Sequence, residues 1–159
     1  AAYLCARYLH HPIYDYTVYG ISSGDTLKAL TVTRICTAKG ATALRVVDWF
    51  GADAAMAATG DALQSLIIQT GAEYADLYVH GVPASSFANT AWHAVPADGA
   101  LIVPNYFEPF AAANTDIRFA VKTTAPNAPV RLFKADADQD RPNSVSPSQR
   151  SSAPTALIA

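Results

Sequence analysis

Acidic, histidine and tyrosine side chains alternate along residues 73–80, which have the sequence Glu-Tyr-Ala-Asp-Leu-Tyr-Val-His. A period of two predicts a β-strand, one face of which carries Asp76 and His80 in alternation with Tyr74 and Tyr78. A carboxylate and an imidazole on one face can take up and release protons when partial burial shifts their pKa values. We therefore interpret Asp76 and His80 as candidate catalytic residues, with Tyr78 in a substrate pocket. The alternative is a half-solvated face on which the tyrosines cover an edge of the sheet.

Two further segments are predicted to lie beside this strand. Asp48 ends the preceding predicted strand, and the carboxyl ends of adjacent parallel strands are where α/β folds usually bind ligands. The segment 103–110 has two prolines, two phenylalanines and a tyrosine around a single glutamate. A stiff aromatic loop of this kind often walls a pocket, so Tyr106 and Glu108 are predicted to line the substrate pocket. A hydrophobic plug over the end of the sheet is the alternative for this loop.

Other site chemistries find little support in the sequence. Residues 136–140 alternate carboxylates as a calcium loop does, but Arg141 stands where that loop needs glycine and Pro147 where it needs a bidentate glutamate. A solvated acidic turn is therefore predicted there, and no metal ligand set. The chain contains no G-x-S-x-G elbow, no phosphate-binding P-loop and no G-x-G-x-x-G motif.

Hydrophobic periodicity and turn residues predict the elements that position these side chains. In chain order they are strands at 14–19, 26–37 and 43–48, a helix at 53–70, a strand at 73–80, a short helix at 83–92, and strands at 100–104, 116–122 and 130–134. Short loops make the first three strands antiparallel, whereas the helical crossover makes the third and fourth parallel. The prediction is an α/β (α+β) fold with a mixed, partly antiparallel sheet.

Composition limits the domain organisation and the partners. The chain has 159 residues, 51% of them hydrophobic and 15% charged, with a net charge of −2. We predict one domain over residues 1–141 and a flexible Ser/Pro-rich tail over 142–159. Neither a basic block nor an apolar run of about 18 residues is present, so neither nucleic-acid binding nor membrane insertion is expected. An exposed strand at 14–19 predicts a homodimer through the sheet edge.

The two cysteines, Cys5 and Cys36, bear on the cellular setting. They are too few for a disulfide framework, and their spacing is not that of a zinc site. We interpret both as small buried side chains, and we predict a reducing, cytoplasmic setting.

The predicted order of elements resembles the later two-thirds of the GNAT acetyltransferase fold. Individual stretches also resemble bacterial GNAT-like proteins that are related to the FemAB type and associated with polysaccharide biosynthesis. These stretches are residues 7–14, 44–51, 73–78, 105–110 and 134–143. The strand and two helices that begin this fold have no room before Tyr14, so the resemblance implies an N-terminally truncated fragment.

The resemblance implies an acyltransferase that moves an acyl group from a thioester, or another activated donor, to an amine or hydroxyl. Acyl-CoA would be a co-substrate and not a permanently bound cofactor, and the donor and acceptor would be small molecules. Its pantetheine would lie between the predicted strands at 43–48 and 73–80. Its pyrophosphate would lie at the N-terminus of the main helix, where free N–H groups attract anions. The implied cofactor contacts are Asp48, Gly51 and Asn89.

One departure from the family pattern leaves alternatives open. GNAT enzymes usually carry Q/R-x-x-G-x-G/A at the pyrophosphate site, whereas this chain has Asp-Trp-Phe-Gly-Ala-Asp-Ala-Ala over residues 48–55. Only Gly51 supplies a flexible turn, and Asp48 and Asp53 bring negative charge. The alternatives are a non-catalytic GNAT-shaped module that binds a partner or a sugar nucleotide, and an inactive fragment of a larger enzyme.

Overall fold

Strands and helices follow one another in the part of the chain that the computed structural model describes, which is residues 1–88, 90–105, 110–125, 127–137 and 140. The strands are β1 (Thr17–Ser23), β2 (Thr26–Ala38), β3 (Ala41–Gly51), β4 (Tyr74–Leu77), β5 (Val79–His80) and β6 (Leu132–Phe133). The α-helices are α1 (Ala2–Leu4), which runs into a π-helical turn at Cys5–Leu9, and α2 (Gly60–Thr70). Short 3₁₀ helices cover Asp53–Thr59, Ala84–Phe87 and Lys134–Asp136.

The main sheet has the order β1-β2-β3-β4, and β5 and β6 form a separate two-stranded sheet. β1, β2 and β3 pair antiparallel, whereas β3 and β4 pair parallel across the helical crossover. The predicted meander, the predicted crossover and the α+β class are therefore confirmed. β1 is an edge strand that pairs only with β2 in the described chain, and a homodimer through this edge stays a prediction.

The predicted main helix is not one continuous α-helix. Residues 53–59 form a 3₁₀ helix that buries Met56 and Thr59, and the α-helix begins only at Gly60. The helix ends at Gly71, which takes the left-handed conformation and donates its N–H to carbonyls of the last turn. The predicted short helix at 83–92 was too long: only the single 3₁₀ turn Ala84–Phe87 forms.

The strand predictions after the crossover need correction as well. The predicted strand at 73–80 is divided, because β4 ends at Leu77 and β5 joins the other sheet. No strand forms at 100–104 or 116–122, and the strand predicted at 130–134 is only the two residues of β6. Local strand propensity did not suffice there, since a strand also needs a neighbour with which to pair. The predicted tail at 142–159 lies outside the described residues.

Two clusters of buried side chains cover the main sheet. Thr31 and Val32 are successive residues of β2, so they face opposite sides of the sheet. Val32 belongs to a tyrosine-rich cluster that also contains Tyr8, Tyr14, Tyr16, Val18, Val47 and Ala135. Ala29, Trp49, Met56 and Phe133 form a second cluster. Within the described chain, none of the helices has the length and apolar character that a membrane crossing needs.

Gly51 allows a close approach of β3 to the start of β2, and this requirement is testable. Its φ is +126°, and a Cβ there would lie 2.5 Å from the Lys28 carbonyl oxygen. Gly40 also has positive φ, +84°, but open space around it. We expect Gly51→Ala to lower the free energy of unfolding by about 3 kcal/mol or more, and Gly40→Ala by only about 1–2 kcal/mol. Urea denaturation measures both, and equal losses would contradict the steric part of this account.

Candidate functional site

β3 and β4 part after four residue pairs, which makes a cleft. The parallel register runs from Ala43↔Tyr74 to Val46↔Leu77. β3 then continues to Gly51 beside β2, whereas the chain after Leu77 turns away to form β5. β3 also carries a bulge at this point, because the β2 register steps from Val46 to Asp48 and leaves Val47 as the extra residue. A bulge bends a strand and re-aims its side chains, so the distortion coincides with the parting of the strands.

Two cavities adjoin this cleft. The helix cavity, of about 450 Å³, lies between the sheet and the helical segment at residues 53–70, and Trp49 and Leu66 line it from the two sides. The loop cavity, of about 490 Å³, lies beside β4 and is lined by Phe87, His93 and other residues of the loops that follow. Leu77 and Trp92 line both cavities. Volumes of this size are typical of sites for small molecules.

The loop cavity receives some of the side chains that the sequence singled out. Asp76 and Tyr78 line it, and the Tyr78 hydroxyl donates to the Val103 carbonyl oxygen at 2.9 Å. Burial raises the pKa of Tyr78 to about 12. His80 does not join them, because it belongs to β5 and its ring packs against Phe119 at 4.7 Å between centroids.

Asp76 is held by a buried ion pair. The Arg45 Nε donates to the two Asp76 carboxylate oxygens at 2.8 and 3.1 Å, and Arg45 Nη2 also donates to Oδ2. Arg45 donates as well to the backbone carbonyls of Pro104 and Asn105. Burial by itself lowers the pKa of Arg45, but the hydrogen bonds and charge of Asp76 outweigh it and raise that pKa. Both carboxylate oxygens of Asp76 are thus engaged by the Arg45 guanidinium.

A buried lysine completes this ionic cluster. Lys134 Nζ donates to both the backbone and side-chain oxygens of Asn105, at 3.0 Å each, and lies 5.0 Å from the centroid of the Tyr78 ring. Burial, reinforced by the nearby Arg45 charge, lowers the pKa of Lys134 to about 7. The sequence analysis missed both Lys134 and Arg45, because they are distant in sequence from the residues that they contact.

Two of the three predicted cofactor contacts, Asp48 and Gly51, do not line either cavity. Asp48 is buried and accepts hydrogen bonds from the Tyr8 hydroxyl and, at 2.8 Å, from the Trp49 backbone N–H. Burial raises the pKa of Asp48, and these two hydrogen bonds offset the rise only in part. Gly51 lies against the start of β2. Asn89, Tyr106 and Glu108 lie outside the described residues.

A cation lies at the start of the predicted main helix, although the sequence offered none nearby. Arg131 Nη1 donates to Asp53 Oδ1, and both side chains are part exposed. Asp53 opens the 3₁₀ helix, so this ion pair stands where the resemblance puts a pyrophosphate. The sequence distance of 78 residues between the partners hid this pairing.

His93 is the histidine that the structure brings to the cleft, in place of His80. It follows Trp92 and lines the loop cavity together with Asp76 and Tyr78. Among the described residues, no group of three or more acidic, histidine or cysteine side chains is arranged to hold a metal ion. Comparison of the chain with protein-family models, curated proteins and solved structures gives no match.

The Arg45–Asp76 ion pair predicts a specific pattern of stability losses. Asp76→Ala leaves the Arg45 charge buried without its carboxylate, so we expect the free energy of unfolding to fall by about 3–5 kcal/mol. The double variant Arg45→Met/Asp76→Leu removes both charges, so its free energy of unfolding should fall clearly less than that of Asp76→Ala. Guanidinium denaturation of the two variants measures the difference. A double variant less stable than Asp76→Ala would contradict the assignment.

The depressed pKa of Lys134 predicts how stability changes with pH. In the folded protein this pKa is about 7, against an ordinary value of 10.5, so the unfolded chain binds more protons between these values. The free energy of unfolding should therefore rise from pH 7 to 8.5, by up to about 1.4 kcal/mol per pH unit. Lys134→Met should remove this rise. Urea denaturation at several pH values measures both proteins, and parallel profiles would contradict the prediction.

Proposed function

We propose that the protein is an acyltransferase that binds a thioester donor in the cleft between β3 and β4 and an amine or hydroxyl acceptor in the loop cavity. The parting of the two parallel strands after Val46 and Leu77 is the observation that carries the proposal. In the described chain no strand pairs with β3 on that side beyond this point. An extended ligand would pair with the β3 backbone at this gap, as an added strand does.

The two cavities suit the two halves of such a reaction. Because Leu77 and Trp92 line both, a donor on one side and an acceptor on the other would meet at these two residues. The acceptor nitrogen or oxygen would attack the thioester carbonyl carbon, the carbon–sulfur bond would break, and the thiolate would leave. The proton lost by the acceptor would pass by way of His93 to the leaving thiolate. Asp76 would hold Arg45 and the wall of the loop cavity and would not itself move a proton.

A non-catalytic binding module is the second candidate, and the Arg45–Asp76 ion pair favours it. The carboxylate that the sequence offers as a base is engaged on both oxygens. His93 is then the remaining histidine or carboxylate that lines the loop cavity among the described residues. Binding without transfer would leave this geometry unchanged, so only turnover distinguishes the two candidates.

The first test is a thermal-shift titration with acetyl-CoA and free CoA, followed by an assay for thiol release in the presence of amine and hydroxyl acceptors. At a ligand concentration of about 100 times the dissociation constant, binding should stabilise the fold by about 2.7 kcal/mol. Thiol release that needs both acceptor and His93 would support acyl transfer. Stabilisation without release from any acceptor would support a binding module, and no stabilisation by acetyl-CoA or free CoA would contradict a CoA thioester donor and favour a module that binds another ligand.

Arg131 and Asp53 allow a sharper test of where the donor's phosphates bind. Arg131→Ala should weaken CoA binding by about tenfold, because a charge-assisted hydrogen bond to phosphate is lost. Asp53→Asn should strengthen binding, since it removes a competing carboxylate and frees the guanidinium. Lys122→Ala, which removes an exposed cation outside both cavities, is the matched control. Isothermal calorimetry gives the dissociation constants, and equal values for Arg131→Ala and the control would overturn this assignment.

A further inference from the structure

We infer that the helix cavity holds the hydrocarbon tail of a medium- to long-chain acyl donor. This inference rests on the proposed acyltransferase function and specifies the class of donor. An acetyl group would leave most of the helix cavity empty, whereas a chain of about eight to twelve carbons would occupy it.

The walls of the helix cavity are uncharged. Apolar side chains approach from the sheet and from the helical segment, and they include Ile21, Val46, Trp49, Met56, Leu63 and Leu66. Among the described residues, no aspartate, glutamate, lysine, arginine or histidine lines it. A phosphate, a sugar acid or an ammonium group would therefore lose its hydration without gaining a partner. The part of a ligand that enters this cavity has to be neutral and largely apolar.

Three of the hydroxyl groups in the same walls donate to backbone carbonyls, and the buried Trp49 indole N–H, which also lines the cavity, has no hydrogen-bond partner among the described residues. Thr59 donates to the Met56 carbonyl at 2.7 Å, Ser65 to the Asp61 carbonyl at 2.9 Å, and Thr31 to the Asp48 carbonyl at 3.4 Å. Because these three hydroxyls already donate to backbone carbonyls, they do not require a polar ligand.

Short side chains on the helical segment leave this space unfilled. Ala58, Ala62 and Ser65 line the cavity from the helix side, opposite larger side chains of the sheet. α2 has no buried residue, although its inner residues Leu63 and Leu66 are apolar. A helix that packs directly on a sheet would bury such residues. The helix instead leaves an apolar face available to a ligand.

The volume of the helix cavity sets the length of the acyl chain. A water molecule takes up about 30 Å³ of liquid, so about 450 Å³ corresponds to roughly fifteen such volumes. A methylene group occupies a similar volume, and interiors pack at a density of about 0.75. An acyl chain of about eight to twelve carbons therefore fits. Its first carbons would lie near Leu77 and Trp92, next to the reacting thioester.

The experiment compares acetyl-, octanoyl- and dodecanoyl-CoA by isothermal calorimetry on the whole chain. We expect octanoyl-CoA to bind at least about tenfold more tightly than acetyl-CoA, because each methylene that leaves water favours binding. Ala62→Trp places a large side chain in the helix cavity and should abolish this preference while acetyl-CoA binding is retained. Ile68→Trp is the control, since Ile68 is 71% exposed and lies outside the cavity. Ser65→Phe is a second filling variant, in case Ala62→Trp fails to fold.

The outcomes separate the inference from the function on which it rests. Equal affinity for all three donors, or a chain-length preference that survives both filling variants, would overturn the inference and leave the acyltransferase proposal standing. Absence of binding by any acyl-CoA would overturn the acyltransferase proposal. A dimer in gel filtration that Ala62→Trp dissociates and Ile68→Trp does not would show that a second copy covers this face, which would also overturn the inference.

Discussion

Two arginines lie side by side in the buried face of the main sheet, and the path of the surrounding chain depends on their neutralisation. Arg34 of β2 and Arg45 of β3 are cross-strand partners, and both are buried. Like charges directly opposite one another are destabilising, and a buried charge without a partner costs several kcal/mol. Asp140 pairs with Arg34 at 3.0 Å, and Asp76 pairs with Arg45. The two carboxylates thus hold β4 and the end of the described chain against the same face.

Further side chains and carbonyls help to neutralise the buried cations. Tyr16 donates to Asp140 at 2.5 Å, and the Arg34 guanidinium lies 3.8 Å from the centroid of the Tyr14 ring. Arg45 and Lys134 both donate hydrogen bonds to the backbone carbonyl oxygen of Asn105. One face of the sheet is therefore a polar network in which aromatic rings and carbonyls surround buried cations. Such a network orders its members and leaves little freedom for large movements.

The opposite face of the sheet is mainly apolar. The proposed reaction would take place where the two faces meet, at the end of β4. On that face the helical segment leaves an apolar cavity, and β4 stays beside β3 only as far as the ion pair of Arg45 and Asp76 reaches. One residue later the strands part. The ion pair thus fixes β4 and the wall of the loop cavity against β3, and beyond Leu77 the two strands are no longer paired.

Local patterns in the sequence determined the elements whose interactions are short in range. Hydrophobic periodicity and short loops were sufficient to predict β2, β3, the meander and the parallel crossover, because each depends on neighbours along the chain. The same reasoning failed at residues 100–104 and 116–122. Strand propensity is present in both, but whether a partner strand lies beside them is decided far away in sequence.

The functional residues divide in the same way. Asp76 and Tyr78 line one cavity, but Ala75, Leu77 and Val79 line it as well, so the alternation of residues 73–80 does not by itself select the two. The partners of Asp76, Asp53 and Asp140 are separated from them by 31, 78 and 106 residues, so only the tertiary structure could decide which carboxylates are paired. The sequence by itself determined the α+β class and the order of strands. The folded chain decided which charges are neutralised and where β3 and β4 part, because both depend on contacts between distant segments.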